Sequence, residues 1–298
     1  NPGYITSENI SFVIVPHLNA TGRMEDAYPA VRLLTATEGD PEVPAIVEDL
    51  IFKNKERRRL QQETFLACTA DLEPEDFILI RSDHAHEGIA GIVAGKIKET
   101  YHRPTVIVTP SGDEKQYLKG TGRSIEGVNL YALLKHHEHL FEKFGGHAGA
   151  CGFLMPAVNF EALREGLLAD MKQLTAQNPH LFEKHYAVDL DLTCDTLTIP
   201  FAEELALLEP FGNKNPKPLL RIRNVRISRI RMLGTEGKHV GFSMTDRSGC
   251  EIACVLFNQA ERYMELLRGG YAGEVLGSLE CRTWQGRKQL QFMVEALV

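Results

Sequence analysis

The sequence predicts a mixed-sheet α/β domain preceded by a long linker helix and followed by an all-β barrel of the OB type. Apolar residues recur at helical spacing in residues 25–72, and short apolar runs alternate with helical stretches in residues 73–185. Short strands separated by glycine turns fill residues 186–298, with one short helix at QAERYMELL. Strand–helix alternation is typical of an α/β layer, whereas five or six strands in about a hundred residues favour a small barrel. Residues 1–24 precede the linker.

The composition is that of a protein without membrane spans or secretion features. The apolar runs are too short to cross a bilayer, and no signal peptide opens the chain. Six scattered cysteines without a C-x-x-C spacing indicate free thiols in a reducing cytosol, so we expect a cytoplasmic protein.

The net charge of -7 argues mildly against a nucleic-acid partner, but the charge is unevenly distributed. Residues 1–185 carry 19 basic and 26 acidic side chains, whereas residues 186–298 carry 14 of each. A neutral domain with clustered basic residues can still bind a phosphate chain, because the local potential decides binding.

The chain begins with Asn1 and runs almost at once into an apolar stretch, Ile10 to Val15, which we interpret as strand-like. We expect from this start that the sequence is a fragment of a longer protein.

The segment KGTGRSIEGVNL (119–130) is the strongest candidate for a phosphate-binding element. Its glycines allow the backbone to approach a ligand closely, Arg123 offers a planar fork for two phosphate oxygens, and Ser124 adds a hydroxyl. An ordinary strand-to-helix turn with a surface arginine explains the residues almost equally well.

The segment FGGHAGACGF (144–153) is the second candidate. Gly145 and Gly146 are interpreted as the end of a helix that begins near Asn129, and the small residues after them open a strand. So many missing side chains would leave a groove floor of bare backbone with His147 as its polar group. A helix cap followed by a tightly packed strand accounts for the glycines equally well.

Three polar clusters receive a structural interpretation. Asp83, His84 and His86 match no metal-site spacing, although Gly88 and Gly91 after them suggest amides presented to an anion or packed against a strand. The other two clusters are interpreted as solvated helix faces: Lys55, Arg57, Arg58 and Arg59, and His136, His137 and His139. For the first of these, a phosphate contact is the less favoured alternative.

An acid-free run of arginines lies in the first long strand of the barrel. Apolar residues separate its members, and the alternation slips near Asn224 as in a bent or bulged strand. We predict that one face packs and the other tracks phosphates. The arginines are Arg221, Arg223, Arg226, Arg229 and Arg231.

A hairpin near the end of the chain adds a candidate base-stacking residue. Trp284 lies beside Arg287 and Lys288, and its ring could stack on a base or pack on the barrel.

Together these segments resemble the RecJ family of single-strand-specific exonucleases in the DHH superfamily. PHLNATGRMEDA (16–27), with Asn19, Gly22 and Arg23, is similar to the segment after the catalytic domain of that family. HEGIAGIVAGKI, YHRPTVIVTP, GTGRSIEGVNLY and FGGHAGACGF follow in the order of its DHHA1 domain, and LLEPFGNKNPKP, GKHVGFSM and TWQGRKQLQ are similar to its OB-like domain. The family usually has Trp and Pro around the histidine of the HEG segment, where this chain has Ala85 and Glu87.

The resemblance implies hydrolysis of single-stranded DNA from its 5′ end, with Mn²⁺ or Mg²⁺ activating water. It implies that residues 1–24 end a catalytic lobe whose Asp- and His-rich motifs are not in this sequence, so we predict no catalytic or metal-binding residue here and no activity of the fragment alone. Arg123, Ser124 and His147, on the floor of Gly145 and Gly146, would hold terminal phosphates, and Arg23 would reach toward the metal centre.

The expected partner is single-stranded DNA, with no membrane contact and a monomeric state. Two alternatives remain open from the residues. One is a phosphodiesterase of the same superfamily acting on oligoribonucleotides or cyclic dinucleotides. The other is a non-catalytic single-strand-binding module.

Overall fold

The computed structural model describes residues 5–112, 116–234, 237–284 and 286–298, without the side chain of Trp284. The chain forms two compact units, Asn1–Lys184 and His185–Val298. The first unit contains a π-helical turn at Ile10–Ile14 and 3-10 turns at Glu138–Leu140 and Ala157–Asn159. Its helices are α1 (Ser7–Asn9), α2 (Val15–Met24), α3 (Tyr28–Leu34), α4 (Val43–Thr69), α5 (Glu87–Tyr101), α6 (Leu130–Lys135) and α7 (Phe160–Gln177). Its strands are β1 (Ile78–Arg81), β2 (Thr105–Ser111), β3 (Tyr117–Arg123), β4 (Lys143–His147) and β5 (Ala150–Pro156).

These five strands form one mixed sheet in the order β1-β2-β3-β5-β4. β1 and β2 are parallel, and the other neighbours are antiparallel. One face packs against α6 and α7 through a core that includes Val106, Phe153 and Leu167. The opposite face packs against α5 and the end of α4 through a core that includes Ile107 and Val93. The sheet is therefore covered on both faces, as alternating strands and helices predict.

The second unit is a closed barrel. Its strands are β6 (Leu190–Leu192), β7 (Leu220–Leu233), β8 (His239–Thr245), β9 (Glu251–Leu256), β10 (Tyr271–Trp284) and β11 (Arg287–Leu297). The ring runs β7-β8-β9-β11-β10 and closes by pairing β10 with β7, while the short β6 pairs with β7 in parallel. Helices α8 (Ile199–Ala206) and α9 (Ala260–Gly269) and a 3-10 turn at Cys194–Thr196 complete it. β7 closes the ring because its first half pairs with β10 and its second half pairs with β8.

The predicted fold class is confirmed: an α/β layer with its long helix α4 is followed by a five-stranded barrel. The sequence places the boundary between the two domains after residue 185, and the two compact units of the structure divide after Lys184. α8 was missed, although Thr198 is a recognisable N-cap whose side chain accepts a hydrogen bond from the Phe201 amide.

The strand-like interpretation of residues 10–15 is wrong, because this segment is helical. The side chain of Thr6 accepts a hydrogen bond from the Asn9 amide, and the Asn9 side chain accepts one from the Thr6 amide. This reciprocal cap starts a helical run that continues through the π-helical turn into α2. Local capping therefore outweighs the β-propensity of the isoleucines and valines in the run.

The predicted helix ending at Gly145 and Gly146 is also wrong. α6 ends at Lys135, and both glycines lie in β4, an edge strand paired with β5. Phe144 stacks on Tyr131 at 5.0 Å and on Phe141 at 5.6 Å between ring centroids, which anchors β4 against the helical segment before it.

The second histidine cluster is not uniformly solvated. The side chain of His137 is only 15% exposed, and its Nε2 lies 3.0 Å from Asp170 Oδ2 on α7, whereas the side chain of His136 is 75% exposed. The solvated interpretation therefore holds for His136 and is wrong for His137.

Candidate nucleic-acid interface

Arg123 and His147 lie in one row across three strands of the first unit. Arg123 on β3 is opposite Ala150 on β5, and Ala150 is opposite His147 on β4. Directly opposed residues of antiparallel strands project to the same face of a sheet. The two side chains therefore share the α5 face, at the ends of their strands.

Small residues on α5 make room for Arg123. A Cβ atom on Gly91 would lie 3.0 Å from Arg123 Nη2 and 2.9 Å from Thr121 Cγ2, and one on Gly95 would lie 3.9 Å from Arg123 Cγ. The Arg123 side chain is half-buried, and its Nη1 donates to the carbonyl of Gly122 at 2.7 Å. Gly91 therefore packs against β3, which is one of the two roles that the sequence suggests for it.

Burial lowers the pKa of Arg123, and repulsion from Arg23 lowers it further. No carboxylate lies within ion-pair distance of Arg123 in the part of the chain that the structure describes. A partly desolvated guanidinium without a counter-ion favours binding of an anion.

The sheet beside Arg123 and His147 is bare on the same face. Gly145 and Gly152 are directly opposed and exposed, and a Cβ atom on Gly145 would meet no heavy atom within 4 Å. Gly146 differs, because its φ is +146° and a Cβ atom there would lie 2.4 Å from the Ala150 carbonyl oxygen, so this position requires glycine. The residues thus form an open floor of backbone beside a guanidinium.

His147 is held in a defined tautomer. Its Nδ1 accepts a hydrogen bond from the Gly149 amide at 3.2 Å, so the ring proton of the neutral imidazole is on Nε2. The exposed ring can therefore donate from Nε2 to an anion on the floor.

Ser124 has a different local role. Its hydroxyl donates to the Val128 carbonyl at 2.8 Å, and its amide donates to the Gly149 carbonyl at 3.0 Å. The first bond closes the loop between β3 and α6, and the second joins this loop to the β4–β5 turn. The hydroxyl proton is thus already used within the loop.

Arg23 approaches the same region from the end of α2. A Cβ atom on Gly88 would lie 1.8 Å from the Arg23 carbonyl oxygen, so only glycine permits this contact between α2 and α5. Arg23 Nη1 donates to the Gly88 carbonyl at 3.3 Å, and the side chain is exposed. The Gly88 amide donates to His86 Nδ1, which caps α5.

Arg57 was wrongly interpreted as part of a solvated face. It is half-buried, and it bonds to Asn54 and Gln61 on its own helix. Its neighbour Arg59 does lie on a solvated face, bound to Glu56 and Glu63.

The arginines of β7 face outward, but several already contact carboxylates. Arg221 binds Asp191 in a bidentate pair, with Nε–Oδ1 at 2.5 Å and Nη2–Oδ2 at 2.8 Å, and this contact lowers the pKa of Asp191 to about 2. Arg223 lies 3.5 Å from Asp191 and 3.7 Å from Glu274. Arg229 binds Glu251 at 2.6 Å.

Arg226 and Arg231 have no ion pair among the described residues. Arg226 is exposed and lies opposite Tyr271, whose hydroxyl donates to Asn224 Oδ1 at 2.8 Å. The slip was predicted near Asn224, but the register of β7 shifts further along, between Ser228 and Arg231. Asn224 and Arg229 both have φ of +54°. Sequence reasoning missed Tyr271, an exposed aromatic beside an arginine.

The hairpin residues add little to the described interface. Lys288 is paired with Glu203, and Arg287 is exposed. The side chain of Trp284 lies outside the described residues, so its stacking remains a prediction.

The described residues contain no group of three or more His, Cys, Asp or Glu side chains that could hold a metal ion. A two-metal site needs such carboxylates and imidazoles, so the donor set does not fit Mn²⁺ or Mg²⁺. None of the helices formed by the described residues is long and apolar enough to span a membrane.

Two domain families match this architecture. Residues 75–175 match the DHHA1 domain, and residues 188–296 match the RecJ OB domain. The chain therefore belongs to the class of proteins in which a DHHA1 domain is followed by a RecJ-type OB barrel. With relatives that match over nearly its whole length, the chain belongs to the RecJ family.

Similar proteins include the single-stranded-DNA-specific exonuclease RecJ of Bacillus subtilis, 30% identical over 98% of this chain and 37% of the relative. The RecJ of Thermus thermophilus is 32% identical over 79% of this chain and 33% of the relative. The crystal structure of Thermus thermophilus RecJ in complex with Mn²⁺ superposes with a TM-score of 0.82 at 29% identity, covering 99% of this chain and 42% of that one. The Mg²⁺ complex gives 0.81. The chain thus spans well under half the length of these relatives.

Proposed function

We propose that this chain is the DNA-gripping part of a 5′-to-3′ single-stranded-DNA exonuclease that acts in DNA repair and recombination. One observation carries the proposal: Arg123 and His147 share one face of the sheet beside an open glycine floor. A phosphodiester backbone needs donors and close approach to the protein backbone, and this row supplies both.

In this proposal Arg123 donates its free N–H groups to a phosphate, and His147 donates from Nε2. Arg23 adds a second cationic group at the α2–α5 contact. Ser124 assists indirectly, because its bonds to Val128 and across to Gly149 hold the loop that follows Arg123.

The barrel would also bind single-stranded DNA. Arg226 and Arg231 are its available guanidiniums on β7, while Arg221, Arg223 and Arg229 reach a phosphate only by exchanging their carboxylates. Trp284, Arg287 and Lys288 would contribute at the hairpin. Contacts of this kind carry affinity without base specificity.

The names of the relatives support nuclease activity of a protein that contains this chain. Since the donor set of the described residues does not fit a two-metal site, we propose that the chain alone does not hydrolyse DNA. The metal would supply activated water when bound by residues outside this sequence, and the residues described here would hold and orient the strand.

The test is a binding and cleavage experiment on the purified chain. We expect a labelled oligothymidylate to bind with little sequence preference and more tightly than a duplex of equal length. We expect no cleavage with millimolar Mn²⁺. If the chain did not bind the oligonucleotide at low salt, the proposed DNA binding would be wrong. If Mn²⁺-dependent hydrolysis followed the protein through purification, the proposed lack of nuclease activity would be wrong.

A further inference from the structure

A guanidinium without an acidic partner lies half-buried on α4. Arg57 Nε and Nη2 donate to Asn54 Oδ1 at 3.2 and 3.0 Å, and Nη1 donates to Gln61 Oε1 at 2.9 Å. Asn54 is itself buried, with 6% of its surface exposed. Neutral acceptors therefore fix the orientation of this side chain without offsetting its charge.

Its neighbour Arg59 shows that α4 can supply carboxylates. Arg59 is bound by Glu56 at 3.0 Å and Glu63 at 2.7 Å, three residues before it and four after it. The corresponding places around Arg57 hold Asn54 and Gln61. The same helix thus neutralises one arginine and leaves the other charged.

The charge of Arg57 is unfavourable in the structure as it stands. Burial lowers the pKa of Arg57, and repulsion from Arg23 and Arg58 lowers it further. A partly desolvated cation with like charges nearby costs free energy, and no ion pair offsets it among the described residues. A bound anion would offset this cost.

Arg57 belongs to the same cluster as Arg23 and Arg123. Arg23 donates to the Gly88 carbonyl and Arg123 lies against Gly91, so both contact the first turns of α5. Arg23 is a repulsive neighbour of both Arg57 and Arg123. Contacts on both sides of Arg57 locate it between α2 and α5: Lys53 binds Glu25 just after α2 at 3.0 Å, and Gln62 accepts a hydrogen bond from Lys96 on α5 at 2.8 Å. The three guanidiniums therefore lie in one region, with no carboxylate paired to any of them in the described chain.

We propose that Arg57 is a third phosphate-binding guanidinium, contacting a non-bridging oxygen of the strand that Arg23 and Arg123 hold, with Asn54 and Gln61 as positioning residues. Three of its five N–H groups are used by these two residues, and two remain for the phosphate. This inference rests on the proposed grip on single-stranded DNA. Because Asn54 and Gln61 already orient the Arg57 guanidinium, this side chain would lose little entropy on binding.

The test compares Arg57→Gln with Arg59→Gln in the whole chain. Binding of a labelled oligothymidylate is measured at several salt concentrations. We expect Arg57→Gln to weaken binding roughly tenfold and to flatten the slope of log K against log salt by about 0.7. Arg59→Gln should change neither quantity. Arg57→Lys should keep the slope, since it keeps the charge.

Thermal unfolding without DNA separates binding from folding. We expect the unfolding midpoint of Arg57→Gln to stay within a few degrees of the parent, because the glutamine amide can still donate to Asn54. A misfolded variant, or one that unfolds much earlier, would show that Arg57 serves helix packing and would overturn the inference.

Arg123→Gln, measured in parallel, keeps the two proposals distinguishable. If it weakens binding while Arg57→Gln retains the affinity and slope of the parent, this inference falls and the proposed function stands. If neither variant alters binding, both fall.

Discussion

The two basic regions of this molecule differ in what their arginines already contact. In the first unit, Arg23, Arg57 and Arg123 bond to neutral carbonyl and amide oxygens. In the barrel, Arg221 and Arg229 bond to Asp191 and Glu251. The first unit carries the excess of acidic residues in the sequence, yet it holds the arginine cluster without carboxylate partners.

The number of arginines is therefore a poor measure of a phosphate-binding surface. A guanidinium paired with a carboxylate must exchange that partner for phosphate, so the net gain is small and fewer cations of the DNA are displaced. An arginine bound only to neutral groups loses nothing comparable. By net charge, the barrel is the better candidate for phosphate binding. By its cluster of arginines without carboxylate partners, the first unit is the better candidate.

The largest expected effect is that of Arg123→Gln. Losing a guanidinium contact to phosphate should weaken single-stranded-DNA binding roughly tenfold or more. Arg164→Gln is the matched control in the same unit, because Arg164 is exposed and already bound to Glu75. Fluorescence anisotropy titrations would check both. If the two variants bound with equal affinity, arginines without carboxylate partners would not differ from paired ones, contrary to our account.

An effect of opposite sign is expected when the barrel arginines lose their partners. Asp191→Asn with Glu274→Gln releases Arg221 and Arg223, so binding should strengthen about threefold and its salt dependence should steepen. The same titrations measure it. Weaker binding by this double variant would mean that the carboxylates hold the arginines in a productive geometry, contrary to our account.

A smaller effect is expected from filling the glycine floor. Gly145→Ala meets no atom in the free protein, so folding should be unchanged while binding falls about fivefold, on the order of 1 kcal/mol of crowding against the strand. Gly269→Ala, another site with open space, is the control in the barrel. If Gly145→Ala bound like its control, the floor would not be a contact surface.

Much of this arrangement could be predicted from local sequence. The glycines of residues 119–130 and 144–153 indicated close backbone approach, and the same segments bring Arg123 and His147 to one face. The position of β4 could not be predicted, because it depends on pairing with β5 and on the stacking of Phe144. Arg57 had a readable signal that we overlooked, since Asn54 and Gln61 occupy the helical positions where Arg59 has glutamates.

The ion pairs of the β7 arginines could not be predicted from the local sequence. Asp191 lies 30 residues before Arg221 in the sequence, and Glu274 comes from a strand on the other edge of β7. Only the closed barrel brings these carboxylates to the arginines. An acid-free run in sequence is therefore not an acid-free surface.

The most direct test of the account is the salt dependence of binding by two double variants of the whole chain. Arg23→Gln with Arg123→Gln removes two guanidiniums without carboxylate partners, whereas Arg221→Gln with Arg223→Gln removes two that lie beside carboxylates. We predict that the first double variant flattens the slope of log K against log salt by about 1.4 and that the second changes it by well under half as much. A flattened slope for the barrel variant, with the parent slope for the first-unit variant, would contradict the account.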